Sequence, residues 1–323
     1  MKIIQQVILF CLLPFLSQAQ LSSTNRNDLE KKEDSLKIHA KEILFGLELN
    51  DRFIADSIFT RQFVEALKTP YSFQYPFDSL ESISRLYAPD SSFRIITWNL
   101  YINDANARRH GAIQMRTTDG SLKLFPLLDK SEEFKDIAQP ITDNLNWVGA
   151  VYYRILLKEY GGKKYYTLIG FDENDLRSNR KIIDILQFEN GKPVFGAPLF
   201  SFPSNSIFPK KTNRFVMEYK RNAGVRLNYD ETMDLIVMEH LISETNEPNK
   251  KYTLIGDGDY EALKWMEGKW TYVSKIFFEI TPDGQAPLPN KILDDKGNID
   301  ESKVPGFKDE PTKPASKKNK RKQ

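Results

Sequence analysis

The chain has 323 residues, carries 46 Lys and Arg against 44 Asp and Glu, and is 12% aromatic. A balance this near neutral argues against nucleic acid as its main partner. The single cysteine, Cys11, lies in the N-terminal apolar run, so the rest of the chain has no disulfide, thiol nucleophile or thiolate metal site and must hold together by burial.

The chain opens "MKIIQQVILFCLLPFLSQAQ". Lys2 is a short positive start, residues 3–16 are mostly apolar, and Ser17-Gln18-Ala19 places small residues where a signal peptidase reads. Residues 1–19 therefore read as a secretory signal peptide. The apolar stretch is short for a membrane span, and no later segment approaches that length. Phe10 before Cys11, with the apolar run continuing past it, argues against a lipoprotein. The expected destination is the periplasm or the cell exterior.

Residues 20–92 read as a helical segment packed on a β-domain. Asn27 or Asp28 supplies a cap for one helix that Gly46 ends, and Asn50 or Asp51 a cap for a second that Pro70 ends. Phe53, Ile54, Ile58, Phe59, Phe63, Val64 and Leu67 form an apolar stripe at helical spacing. "YSFQYPFDSL" reads as a loop that packs down, and residues 80–87 as a short helix.

Residues 93–282 read as that antiparallel β-domain. Asp119-Gly120, Gly161-Gly162, Asn190-Gly191 and Glu267-Gly268 look like hairpin loops, where Gly and Asn accept positive φ, and "RNAGVR" looks like a longer one. Strand-forming runs such as "WVGAVYYRILL" and "KIIDILQF" flank them. "KKYYTLIG" and "KKYTLIG" suggest a faint repeat, with related stretches near Gly120 and Lys210. Two arrangements fit: propeller-like meander repeats, or an irregular β-sandwich or rolled sheet. Residues 283–323 are rich in Pro, Gly, Lys and Asp, poor in apolar residues, and end in a basic bunch (Lys317, Lys318, Lys320, Arg321, Lys322). They read as a disordered basic tail suited to anionic surfaces.

Two acidic clusters are the candidate metal ligands: Asp172, Asn174 and Asp175, and then Asp257, Asp259 and Glu261. Neither keeps EF-hand spacing. Leu176 and Arg177 fall where a ligand and the turn glycine belong, as do Ala262 and Gly268 where the second cluster needs its glycine and late Glu. The plainer reading is strand ends with Asx-type turns. The alternative is a calcium site that combines both clusters, and calcium is the one cofactor this leaves open.

His39, His110 and His240 lack metal-ligand neighbours, and His240 reads as a half-buried sheet residue. No Gly-x-Ser-x-Gly elbow and no phosphate loop appears. Strand aromatics such as Trp98, Trp147 and Trp270 read as cross-strand packing rather than sugar-stacking platforms. Strand-end carboxylates leave room for a glycosidase pair.

"FRIITWNLYI", "WVGAVYYRILL", "YYTLIGFDENDLRSNRKIIDILQFENGKPVFG" and "DGDYEALKWMEGKWTYV" resemble a group of uncharacterised exported bacterial proteins, over most of residues 50–280. The resemblance implies a bacterial envelope or secreted setting and assigns no activity. The sequence thus points to a non-catalytic binding or scaffold module of the envelope, with an envelope protein or glycan as partner. The alternative is a glycan-acting hydrolase that uses strand-end carboxylates.

Overall fold

The computed structural model describes residues 20–103, 106–204, 206–274 and 276. The expected signal peptide and basic tail lie outside them. Two helices come first. Helix α1 (Ser23–Phe45) is capped by Ser22, whose hydroxyl accepts from the Asn25 amide, so it begins several residues before the expected cap at Asn27 or Asp28. The polar start "STNRND" is no obstacle, because one good cap satisfies an orphan amide while the side chains face water. Gly46 ends the helix as expected, but not through a left-handed turn. Its φ is −56°, and a Cβ there would meet the Glu42 carbonyl at 2.6 Å.

Helix α2 (Leu49–Leu67) starts after Glu48 and stops before Pro70. Phe59, Phe63 and Leu67 of the expected stripe are buried, whereas Ile54 is half exposed. "YSFQYPFDSL" packs down through Tyr75, Phe77 and Leu80. Residues 80–87 do not form the expected helix. Strand β1 (Ser84–Tyr87) instead pairs antiparallel with β2 (Phe93–Asn103), Leu86 opposite Ile95. A ladder partner overrides weak local helix preference, because it satisfies the backbone and buries one face.

The rest of the chain builds three sheets. The first is a meander of β1, β2, β3 (Asn106–Met115) and β4 (Lys123–Leu128). The second runs β5-β9-β8-β7-β6, from β5 (Thr142–Asp143), β6 (Val151–Tyr160), β7 (Lys163–Asp172), β8 (Ser178–Glu189) and β9 (Lys192–Phe195). Strand β12 (Phe215–Lys220) completes it by pairing with the first half of β8. The third sheet runs β11-β10-β16-β15-β14-β13. Its members are β10 (Phe200–Ser201), β11 (Lys211–Thr212), β13 (Leu227–Asp230), β14 (Leu235–Ser243), β15 (Leu254–Met266) and β16 (Lys269–Val273). Among these described strands, pairing is antiparallel except for β10 beside β16.

Gly161-Gly162, Asn190-Gly191 and Glu267-Gly268 each have positive φ at both residues and close two-residue hairpins, as the sequence predicts. Asp119-Gly120 lies in a longer loop between β3 and β4, with positive φ at Gly120 but not at Asp119. "RNAGVR" does not close a hairpin. It carries the chain from β12 in the second sheet to β13 in the third, and Gly224 has no positive φ.

Period-two alternation stacks these layers. On β2, Ile96, Trp98 and Leu100 meet Phe59 and Phe63 of α2, while Phe93 and Ile95 face the second sheet with Trp147 and Tyr152. On β8, Ile182 and Leu186 join that same core, while Ile183 and Ile185 join Phe215, Leu263 and Trp270 against the third sheet. The helices therefore cover the first sheet, the first covers the second, and the second covers the third. The antiparallel meanders stack face to face, as in the sandwich alternative. The "KKYYTLIG" echo is not structural: its first copy lies in β7, and its second passes through a 3-10 turn, Lys251–Thr253, into β15.

Candidate functional site

The first acidic cluster lies at the end of β7, where the first and second sheets part. Asp172 is the last residue of β7 and stands opposite Arg180 of β8. From β3, the Arg109 guanidinium donates to Asp172 through Nη2, and Nη2 also reaches the Glu173 carbonyl at 3.2 Å. Arg109 Nη1 lies 3.5 Å from Asp129. Arg180 Nη1 is 3.7 Å from the other Asp172 oxygen, and its Nε is 3.1 Å from Glu218 of β12. The second Glu218 oxygen accepts from Ser178 at 2.7 Å and from Asn174 at 3.3 Å. One chain of charge thus ties strands of the two sheets together.

Asp172 is 2% and Arg109 7% exposed. Burial pushes the Asp172 carboxyl up; Arg109 and then Arg180 pull it back, and the net shift is upward. Asp175 does what an Asx turn does, accepting the Arg177 amide at 2.7 Å and the Ser178 amide at 2.9 Å. Beside this network opens a cleft of about 410 Å3, lined also by Ser131, Phe134 and Lys135 from the connection after β4.

The second acidic cluster sits inside a strand, not at its end. On β14 the ladder slips between Glu239 and Leu241. Glu239 pairs with Tyr260 and Leu241 with Gly256, so Asp257, Gly258 and Asp259 together oppose His240 alone. The "DGD" of the sequence is a β-bulge, and Gly258 at φ +91° supplies the backbone turn it needs. Asp257 accepts the Asp259 amide at 3.0 Å and lies 2.8 Å from His240 Nδ1. Burial pushes the Asp257 carboxyl up, but the His240 and Asp259 hydrogen bonds hold it below the usual carboxylate range. Glu261 accepts from the Tyr272 hydroxyl at 2.5 Å. Burial first, then this carboxylate, pushes the Tyr272 phenol up. A cavity of about 430 Å3 opens beside His240, Glu261 and Tyr272.

The two clusters therefore line separate pockets, one between the first two sheets and one on the third. No group of three or more His, Cys, Asp or Glu among the described residues is placed to hold a metal ion. Sequence reasoning singles out Asp172 and Asn174 but misses Arg180 and Glu218, which strand register brings to them, and Arg109, which the packing of the first sheet on the second brings. The large aromatics pack: Trp147 donates to Tyr152 at 3.0 Å, Trp270 to Thr167 at 3.0 Å, and both tryptophans are buried. Comparison with protein-family models, curated proteins and solved structures finds no match for the chain.

Proposed function

We propose that this is an exported, non-catalytic binding module of the bacterial envelope, and that the charged cleft between its first two sheets receives a polar ligand such as a glycan segment. One observation carries the reading. Of the four carboxylates that line the cleft, the two from its strands are already held, Asp172 between two guanidinium groups and Glu218 among Arg180, Ser178 and Asn174, while Glu132 and Asp136 stand on the connection after β4. A glycosidase needs one carboxyl aimed at the leaving oxygen with its proton and a second free to attack or to activate water. Here Arg180 contacts both Asp172 and Glu218, which disfavours that strand-end pair as the catalytic couple of a hydrolase. A preorganised lattice of planar polar groups suits recognition instead, because its donors are fixed in direction before the ligand arrives. Half-buried Phe134 and exposed Lys135 on the rim add an apolar face and a cation.

The test is a glycan-binding screen of the purified chain, paired with an assay for released reducing ends. The reading expects saturable binding that Arg180→Lys and Phe134→Ala each weaken, with no product formed. Product formation abolished by Glu218→Gln would instead establish the hydrolase.

A further inference from the structure

A second cleft lies where the start of α1 meets the loop before β1, the β1–β2 turn and the end of β3. It shares no lining residue with the charged cleft between the first two sheets, and its reading is independent of that one. Its volume of about 1340 Å3 is room for an extended segment rather than a single small ion. Its walls are tied to one another. The Leu21 amide donates to Gln74 at 2.8 Å, the Asn25 side chain to the Pro70 carbonyl at 3.3 Å, and the Arg116 amide to the Ser92 carbonyl at 2.9 Å. A ligand therefore meets a cleft already shaped.

Positive charge gathers around it without a matching carboxylate. Arg94 lies behind two of the lining rings: its guanidinium carbon is 5.9 Å from the Phe73 ring centre and 5.5 Å from that of Tyr87, and Nη1 donates to the Tyr87 hydroxyl at 2.9 Å. Arg94 is 0% exposed, and its other donors go to Gln114 and to the Tyr75 and Ser72 carbonyls. Arginine keeps its proton in proteins, so these dipoles solvate the charge and do not cancel it. Two more guanidinium groups, Arg26 and Arg116, line the cleft; both are exposed, and neither has an ion-pair partner among the described residues. The one carboxylate of the described lining, Asp90, is already met by Lys164 at 2.8 Å, Tyr166 at 2.9 Å and Ser92 at 2.6 Å. A concave surface with one sign of charge over a low-dielectric wall focuses its field on the space inside, so the cleft suits an anion.

The rest of the lining says which kind. Half-buried Phe73 and Tyr87 meet edge to face at 5.3 Å and present apolar ring surface, and Ser91, Thr117 and Thr118 supply hydroxyls. Guanidinium groups take carboxylates in a two-point grip, hydroxyls exchange hydrogen bonds with sugar hydroxyls, and a ring face covers the apolar face of a sugar. We propose that this cleft binds a segment of acidic polysaccharide, with sugar carboxylates on Arg26 and Arg116 and a sugar ring against Phe73.

The test is calorimetric titration of the purified chain with tetragalacturonate, with neutral galactotetraose and a capped tetraglutamate peptide as comparison ligands. Saturable binding of the uronate is expected, at least tenfold tighter than that of either comparison ligand. Arg26→Gln and Arg116→Gln should each weaken it about tenfold, the size of one lost charge-assisted hydrogen bond. Both side chains are exposed and unpaired, so these variants should keep the wild-type unfolding midpoint. Arg180→Lys, in the other cleft, should leave uronate binding unchanged, which separates this site from that one. No saturable binding by the wild type, binding unmoved in the folded Arg26→Gln/Arg116→Gln double variant, or equal affinity for the acidic peptide would overturn the proposal.

Discussion

Arg214 and Asp184 form an ion pair in which both side chains are 0% exposed, Nε to Oδ2 at 2.7 Å. Arg214 Nη1 also donates to the Ile137 carbonyl at 2.5 Å. Ile137 lines the charged cleft, so one buried guanidinium both neutralises a core carboxylate and pins a wall of the site. Arg214→Met keeps length and apolar stem but leaves Asp184 buried without its cation. Breaking such a pair from one side costs about 3–5 kcal/mol, because the remaining charge keeps its full desolvation penalty. The double variant Arg214→Met/Asp184→Leu removes both charges and should recover most of that loss. The pH dependence gives an independent check. Burial pushes the Asp184 carboxyl up, and Arg214 pulls it back. Without Arg214 the folded-state value moves further up, so the folded form prefers the proton. The destabilisation should then be largest near pH 7 and shrink as pH falls toward that raised value. Urea unfolding of the single and double variants at two pH values measures all of this. A single-variant loss below about 1 kcal/mol at pH 7, or a loss equal at both pH values, would refute the reasoning.

Two other groups, one half-buried and one fully buried, lead to measurable outcomes. Burial pushes the His110 imidazole down from 6.5, with Asp56 opposing. Below pH 6.5 the unfolded chain takes a proton that the folded chain resists, so stability falls as pH drops through that window. His110→Gln should flatten the slope between about pH 7 and 5.5 relative to wild type in unfolding titrations. Arg94 is fully buried with no carboxylate partner among the described residues, and it donates to Gln114 at 2.8 Å, the Tyr75 carbonyl at 2.6 Å and the Ser72 carbonyl at 3.1 Å. Arg94→Lys cannot reproduce that fork, and thermal or urea unfolding should show a loss of about 2–4 kcal/mol.

What the sequence made legible was local. Gly161-Gly162, Asn190-Gly191 and Glu267-Gly268 announce positive φ in their own residues, and the hairpins are there. The segment of residues 80–87 misleads because its fate depends on Ile95 and its neighbours across the ladder, which no local pattern reports. "KIIDILQF" is apolar on both faces because sheets cover both, so its alternation vanishes, and with it any clue to which layer each face meets. The site was half legible for the same reason. Asp172 and Asn174 stand out as a cluster, whereas Arg109, Arg180 and Glu218 come from three different strands. The bulge had a readable signal: glycine inside a strand pattern, here Gly256 and Gly258, points to one.

The pairing of β12 with β8 has a bearing on how the chain acquires its fold. Residues 178–183 of β8 carry Ile182 and Ile183, both buried in the finished protein, and their ladder partner is Phe215–Lys220. Everything between them, including β9 to β11, comes first in the chain. If the chain folds from its N-terminus, β8 presents an unpaired edge, with Ile182 and Ile183 in it, until β12 arrives, and an open edge recruits strands from neighbouring copies. Chaperone protection during that interval, or a slow β12 docking phase that deletion of β12 converts into aggregation, would mark it as the vulnerable moment in the life of this protein.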